Sequence, residues 1–397
     1  MLNQSEIWSL ARGVHPFAVE ARRHFHRNPE LSFQERETSA YIATQLTAMG
    51  IPFTAGVGGY GIKAVIDGGR QGRTVALRAD MDALPIQEET GLPFASEKPG
   101  VMHACGHDVH TATLLATARA LKQVAERLPG RVVLIFQPGE EVNPGGASLM
   151  IKDGVLKNPD VEAIFGLHVM PLMEAGTMGF GAGPMLAAPD EFDVTIAGKG
   201  GHGAAPHLCV DPVMVAAQCL TLLQQVVARN VSPFQSAVIT VGSIHGGTAR
   251  NVIPDEVTFK GTVRTMDAAV QELMPKRIEA VIRGVCEAAG ATYRLKYDPG
   301  YPALVNDAAA TEVARRAALA VLPEAKVQPM APSMGGEDFA FYLKEVPGSF
   351  ARLGSMIPGM TAPAGLHTSR LMIDEECMAV GVAYYLSVVG EYLGESL

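Results

Sequence analysis

Apolar positions along the chain fall into short continuous runs separated by longer stretches with helical spacing. Residues 74–79, 131–137 and 161–167 have the length and near-unbroken hydrophobicity of strands buried on both faces. Residues 109–127, long and rich in Ala and Leu, read as a helix between two of them. Upstream, Ser32-Phe33-Gln34-Glu35 has the spacing of a capping box, which predicts a helix that opens there and stops at Gly50. Helices alternating with buried strands predict an α/β catalytic domain, a mostly parallel sheet with flanking helices.

The texture changes near Leu186. Residues 192–197 start a strand and 198–203 supply a Gly-rich turn. Residues 211–228 read as a helix with Pro212 in its first turn. Strands at 237–244 and 257–264, a helix at 270–289 and a strand at 291–297 follow. This strand-helix-strand-strand-helix-strand order is that of a ferredoxin-like α+β sandwich. Helix-rich α/β texture returns from Tyr301, so the sandwich is expected to be inserted at 186–298 into a discontinuous domain of 1–185 and 299–397.

Composition narrows the classes. A length of 397 residues suits about two domains at ~100–200 residues each. With 48% hydrophobic and 18% charged residues, the chain has ample apolar surface to bury. The net charge of −9, with no dense basic run, argues against nucleic-acid binding. Five scattered cysteines, an odd number, argue against a disulfide framework. The first residues lack a signal-peptide layout, and the apolar segment 377–389 is shorter than the ~20 residues of a membrane span. A cytoplasmic protein without membrane attachment is the expectation.

Each of the three buried runs leads into polar chemistry: Asp80-Met81-Asp82, Pro138-Gly139-Glu140-Glu141 and His168. Ligands bind at the carboxyl ends of strands in open parallel sheets, so these groups are expected to converge. Any one of them alone would be an ordinary loop residue. The densest signal is Met102-His103-Ala104-Cys105-Gly106-His107-Asp108-Val109-His110, where thiol, imidazole and carboxylate donors crowd just before a helix. Such donors suit zinc and other borderline metals. Two other readings are a buried Cys beside a helix-capping Asp108, and a Cys105 nucleophile with His107 as base. The latter leaves Glu140, Glu141 and His168 without a task. An adjacent carboxylate pair fits metal-assisted hydrolysis, one holding metal and the other accepting a proton from water. Late in the chain, His367 sits in a Pro/Gly-rich loop and is weak evidence alone.

Seven ordered motifs extend the pattern over nearly the whole chain. They are His26-Arg27-Asn28-Pro29-Glu30, the run from Arg78 to Pro85, the Met102–Asp108 run and Gln137-Pro138-Gly139-Glu140-Glu141. Gly201-His202-Gly203-Ala204-Ala205-Pro206-His207, Asn251-Val252-Ile253-Pro254 and Gly335-Gly336-Glu337-Asp338-Phe339 complete the series. Together they resemble the di-metal aminoacylase/carboxypeptidase clan. Within it the nearest branch is that of hippurate hydrolases, N-acyl-L-amino-acid amidohydrolases and auxin-conjugate hydrolases.

The resemblance implies a metal-dependent amidohydrolase that splits N-acyl-L-amino acids into a carboxylic acid and an amino acid. It implies two divalent ions (Zn, Mn, Co or Ni) held by Cys105, His107, Glu141, His168 and His367, with Cys105 bridging. Glu140 would be the general base, and Asp82 would orient a ligand. It further implies a homodimer or higher homo-oligomer joined through the inserted domain, which acts as a lid. His202 would stabilise the oxyanion in the partner's site, and Asn251 with Arg250 would meet the substrate carboxylate. Asp80-Met81-Asp82 replaces the His-x-Asp of clan relatives, and Cys105 replaces an Asp, which favours the N-acyl branch. Alternatives are a dipeptidase or N-acetyl-diaminopimelate deacetylase of the same clan, a Cys105 thiol hydrolase, or a non-catalytic metabolite-binding protein.

Overall fold

The computed structural model describes residues 2–394. They divide into two compact units. The first comprises Met1–Gly183, Val305–Ala331 and Asp338–Leu397, and the second Pro184–Leu304 and Pro332–Glu337. The inserted unit therefore runs on to Leu304 and includes Pro332–Glu337, beyond the 186–298 expected from the sequence. A short loop such as 332–337 has no periodicity to mark which core it joins.

In chain order the first unit opens with α1 (Gln4–Arg27), α2 (Arg36–Ala48), β1 (Phe53–Val57), β2 (Gly61–Asp67) and β3 (Arg70–Asp80). It continues with α3 (His107–Gln123), β4 (Pro129–Gln137), α4 (Gly146–Lys152), β5 (Ala163–Glu174) and β6 (Met178–Phe180). The chain crosses to the second unit in β7 (Gly183–Leu186), which is followed there by β8 (Ala188–Ala197) and β9 (Gly201–His202). Next come α5 (Pro212–Asn230), β10 (Ala237–Gly246), β11 (Val252–Ile253), β12 (Glu256–Thr265), α6 (Ala268–Ala289) and β13 (Thr292–Asp298). The chain returns at β14 (Leu304–Asn306) and ends with α7 (Ala308–Val321), β15 (Val327–Pro329), α8 (Ala340–Glu345), β16 (Gly348–Met356) and α9 (Cys377–Gly394).

An eight-stranded sheet of order β1-β2-β4-β3-β5-β16-β6-β15 organises the first unit. Its centre, β4-β3-β5-β16, is parallel throughout. Antiparallel pairs lie at β1-β2, β2-β4 and β16-β6, and the edge pair β6-β15 is parallel. Val75, Ala76 and Leu77 of β3 are all fully buried, as expected for a strand covered on both faces. Helix α1 buries Ile7, Ala11, Val14, Ala18, Ala21 and Phe25, a stripe at three- and four-residue spacing. Its capping box is Asn3 with Glu6.

Helix α9 is longer than the 377–389 segment read from sequence and meets a membrane-span test on length and composition, but 83% of it is buried inside the protein. It packs on α1, α3 and α7 within the first unit's core.

The second unit is an antiparallel sheet of order β10-β12-β8-β13, with α5 and α6 packed on it. Phe192, Val194 and Ile196 alternate inward along β8 and meet Val215, Cys219 and Leu223 of α5 and Met274, Ile278 and Ile282 of α6 in a separate core. Asp211 and Asp267 cap α5 and α6, and Gly290 ends α6 at φ +71°.

Candidate metal centre and active site

Parallel strands β3, β4 and β5 deliver the site from their carboxyl ends. Strand β3 runs out at Asp80, and Asp82 follows two residues later; β4 runs out at Gln137 and enters the Pro138–Glu141 loop. His168 differs from the sequence expectation. It lies inside β5, which continues to Glu174, because β16 pairs alongside and extends the strand past it.

The chain reaches α3 through Cys105 and Gly106. Gly106 adopts φ +90°, and a Cβ there would stand 2.4 Å from Val169 Cγ2. Only glycine lets this turn approach β5 closely enough to set Cys105 and His107 beside His168.

The His107 and His168 imidazoles are each oriented through their Nδ1. His107 Nδ1 donates to the Asp82 main-chain oxygen at 3.0 Å and lies 3.2 Å from Asp82 Oδ1. His168 Nδ1 donates to the Val169 carbonyl at 2.7 Å, so its Nε2 faces Cys105 Sγ at 3.4 Å. A ring nitrogen held in this way presents the other as a metal donor. His367 adopts φ +60° and donates its N–H to the Ala104 carbonyl at 2.7 Å. Its loop is tied down where Ser369 Oγ and Arg370 Nε donate to Glu89 Oε2.

Cys105, His107 and His168 form one group whose donor atoms all lie within 4.8 Å of one another, and Cys105, Glu141 and His367 form a second. Cys105 belongs to both. Glu140 joins His107 and Glu141 in a third such group and is buried. Asp80, His107 and His110 form a further group beneath.

The donor set fits divalent metal. His107 Nε2 and Glu141 Oε1 are buried without a hydrogen-bond partner among the described residues, an arrangement that is costly unless a cation satisfies both. Glu141 Oε1 lies 3.2 Å from His367 Nε2, at ion-pair distance but without hydrogen-bonding geometry. The neighbouring Cys105 and Glu141 hold the His367 imidazole up to about 10. Burial opposes charge on both His107 and Asp80, yet their mutual attraction keeps His107 well above its ordinary value and Asp80 well below. A site that attracts protons this strongly is one where positive charge belongs. Soft thiolate with imidazole and carboxylate suits zinc and its first-row neighbours.

A layer of fixed charge lies behind these donors. Asp82 Oδ2 accepts from Ser32 Oγ at 2.6 Å and from the Glu141 N–H at 3.0 Å. Asp80 Oδ1 accepts from His110 Nδ1 at 2.6 Å, while His110 Nε2 accepts the Val169 N–H. Arg78, fully buried, donates to Asp80, Asp338 and Gln137. Arg78 and Asp338 fall within the quoted motifs, but the sequence reading gave neither a role. The one charged residue in the apolar run 74–79 is the signal that could have marked Arg78.

The remaining predicted residues belong to the second unit. His202, on β9, stands opposite Val252 of β11 and accepts the Ala204 N–H on Nδ1. Asn251 accepts the Gly203 N–H on its main-chain oxygen, and Arg250 precedes it in the same exposed turn. The short β9–β11 ladder thus brings the backbone at His202 and Gly203 beside that of Asn251 and Val252, with Arg250 next in the chain.

The family model described as peptidase family M20/M25/M40 matches residues 76–391. The chain is 47% identical over 339 residues to the N-acetyl-L-cysteine deacetylase of Bacillus subtilis, covering 85% of this chain and 80% of that one. It is 43% identical to the N-acyl-L-amino acid amidohydrolase of Geobacillus stearothermophilus, covering 77% and 82%. The crystal structure of the YXEP protein of Bacillus subtilis, described as a dinuclear metal binding peptidase from the M20 family, superposes with a TM-score of 0.82 at 36% identity, covering 96% of this chain and 99% of that one. With its parallel sheet, its clustered donors and these relatives taken together, the chain belongs to peptidase family M20/M25/M40.

Proposed function

We propose that the protein is a metal-dependent amidohydrolase that cleaves N-acyl-L-amino acids to a carboxylic acid and an amino acid. The observation that carries this reading is one buried cluster in which two donor triads share Cys105 and Glu140 lies beside them. Cys105, His107, Glu141, His168 and His367 would hold two divalent ions, which would activate water and polarise the acyl carbonyl.

Glu140 takes the proton from the attacking water and returns it to the leaving amine. Asp82 keeps the His107 ring in the donor orientation through Nδ1. Asn251 and Arg250 receive the substrate carboxylate, and in a homodimer the partner's His202 stabilises the oxyanion. The backbone pairing that sets Asn251 beside the His202–Gly203 segment supports their sharing one task. One relative, a deacetylase of N-acetyl-L-cysteine, supports acetyl as an acyl group to test first. The five cysteines are free, which suits a reducing, cytoplasmic setting.

A thiol hydrolase is disfavoured by the state of Cys105. Burial pushes its thiol up and Glu141 adds to this, outweighing His107, so little thiolate would exist without metal.

Turnover of N-acetyl amino acids, hippurate and dipeptides by the metal-loaded protein tests the reading. Glu140→Gln should lower kcat by about 10²–10⁴ while both metal equivalents remain bound. Chelation should abolish turnover and metal should restore it. Near-wild-type turnover by E140Q, or activity that survives chelation, would overturn the proposal.

A further inference from the structure

Ser32-Phe33-Gln34-Glu35 does not cap a helix. Helix α2 begins at Arg36, and Glu35, at its N-cap position, makes no side-chain capping bond. The first-turn donors are met by Glu30 instead, which accepts from the Glu37 N–H, the Thr38 N–H and Thr38 Oγ1. Glu35 is nevertheless completely buried. Burial, with the Asp82 charge nearby, pushes its carboxyl up to about 7. A buried carboxyl unused by its own helix needs another explanation.

Its Oε1 accepts the Gly139 N–H at 2.7 Å, and Oε2 has no hydrogen-bond partner among the described residues. Gly139 sits at φ +61°, and a Cβ there would stand 2.4 Å from the Phe33 ring. The Glu141 N–H, two residues on, is held at 3.0 Å by Asp82 Oδ2, which Ser32 Oγ also reaches at 2.6 Å. The Pro138–Gly139 and Glu140–Glu141 peptides are thus each fixed by a buried carboxyl, one belonging to the 32–35 segment and the other tied to it. At the loop's far side the Gly139 carbonyl accepts the Gly146 N–H at 3.0 Å.

We propose that Glu35 is a positioning residue for hydrolysis: through the Gly139 N–H it fixes the loop that aims Glu140, and the 32–35 segment is a clamp on the general base. This rests on the role assigned above to Glu140. A displaced base loses rate steeply, because proton transfer needs heavy atoms within hydrogen-bond reach. The clamp needs an acceptor at the Oε1 position and does not need a charge, so an amide should replace the carboxyl.

The test compares Glu35→Gln, which keeps the acceptor, with Glu35→Met, which keeps length without it, in the full-length protein at saturating metal. E35M should lose about 30- to 100-fold in kcat with KM changed less than about threefold and both metal equivalents bound. E35Q should recover kcat to within about threefold of wild type. Should E35M fail to fold, Glu35→Asp, which draws the acceptor back by one methylene, should show the same loss in kcat. A merely structural role would lower thermal stability and the active fraction but leave kcat per folded molecule unchanged.

The proposal is overturned if E35M or E35D keeps wild-type kcat, if E35Q is as impaired as E35M, or if excess metal erases the defect, since the effect would then act through metal retention alone. E140Q assayed in parallel separates the two readings. An inactive E140Q beside a normal E35M refutes only the clamp, whereas an active E140Q refutes the assignment of the base.

Discussion

Arg78 is a fully buried cation in the inner half of β3, and its guanidinium spans two buried carboxylates, Asp80 at 2.7 Å and Asp338 at 2.8 Å. Removing the arginine leaves Asp338 buried without solvent or a cation beside it and Asp80 with only its histidines. Arg78→Met should therefore destabilise the protein by about 3–5 kcal/mol, measured as a lowered urea midpoint at constant slope. A loss below about 1 kcal/mol would mean the cluster contributes nothing beyond packing. His26 supplies a pH-dependent counterpart. Its Nδ1 lies 2.8 Å from Asp108 Oδ2 and its Nε2 3.3 Å from Glu88 Oε1. Burial opposes its charge, but the Asp108 carboxylate and these bonds outweigh burial and raise it above its ordinary value. A raised imidazole stabilises the fold in full below its ordinary value of about 6.5, and that contribution fades as pH rises through the raised value. The stability gap between wild type and His26→Asn should thus be wider at about pH 6 than at about pH 8. A gap that is constant or widens with pH would remove His26 as the titrating group.

At the scale of elements, close approach decides what the site loops tolerate. Gly146 starts α4 behind the Glu140 loop, and a Cβ on it would stand 1.6 Å from the Pro138 carbonyl oxygen. Gly146→Ala must push that loop, at a cost of about 1–3 kcal/mol in stability and with a fall in kcat at saturating metal. Gly284 is the control, since it lies on the exposed face of α6 with nothing near its Cβ position. Gly284→Ala should stabilise by about 0.5–1 kcal/mol and leave kcat unchanged. Equal effects of the two substitutions would refute the steric argument.

The same elements show what a sequence reveals. Strands β3 and β4 were legible because strands buried on both faces carry near-continuous apolar runs, here 75–77 and 132–136, and the polar residues after them stood out by contrast. Cys105, His107 and Glu141 were legible as donor types within the motif series, His168 as the polar end of a buried run and His367 only through the family resemblance, and the structure draws them into one cluster. Ser32–Glu35 misled because a capping box and a tertiary clamp use the same residue types. The spacing of hydroxyl and carboxyl says nothing about whether the nearest orphan N–H belongs to the following helix or to Gly139, far along the chain. The extension of β5 past His168 was hidden for a similar reason, since it depends on pairing with β16.

At the scale of the whole molecule, the ferredoxin-like order of the insert was legible from alternating periodicities, and its antiparallel sheet has the strand order such a unit requires. Each unit has its own hydrophobic core, one centred on β3, α3 and α9 and the other on β8, α5 and α6. All five proposed metal-holding residues belong to the first unit, and none to the second. Ligands stabilise only the cooperative unit that binds them. At a hundred times its dissociation constant, a metal ion adds about 2.7 kcal/mol to the unit that holds it. Calorimetry of the full chain should resolve two transitions, and titration with divalent metal should raise one while the other stays within about 1 °C. Chelation should reverse the shift. Cys105→Ala, which removes the donor common to both triads, should abolish most of it without moving the second transition. A single transition that shifts as a whole with metal would show instead that the two cores unfold as one cooperative unit.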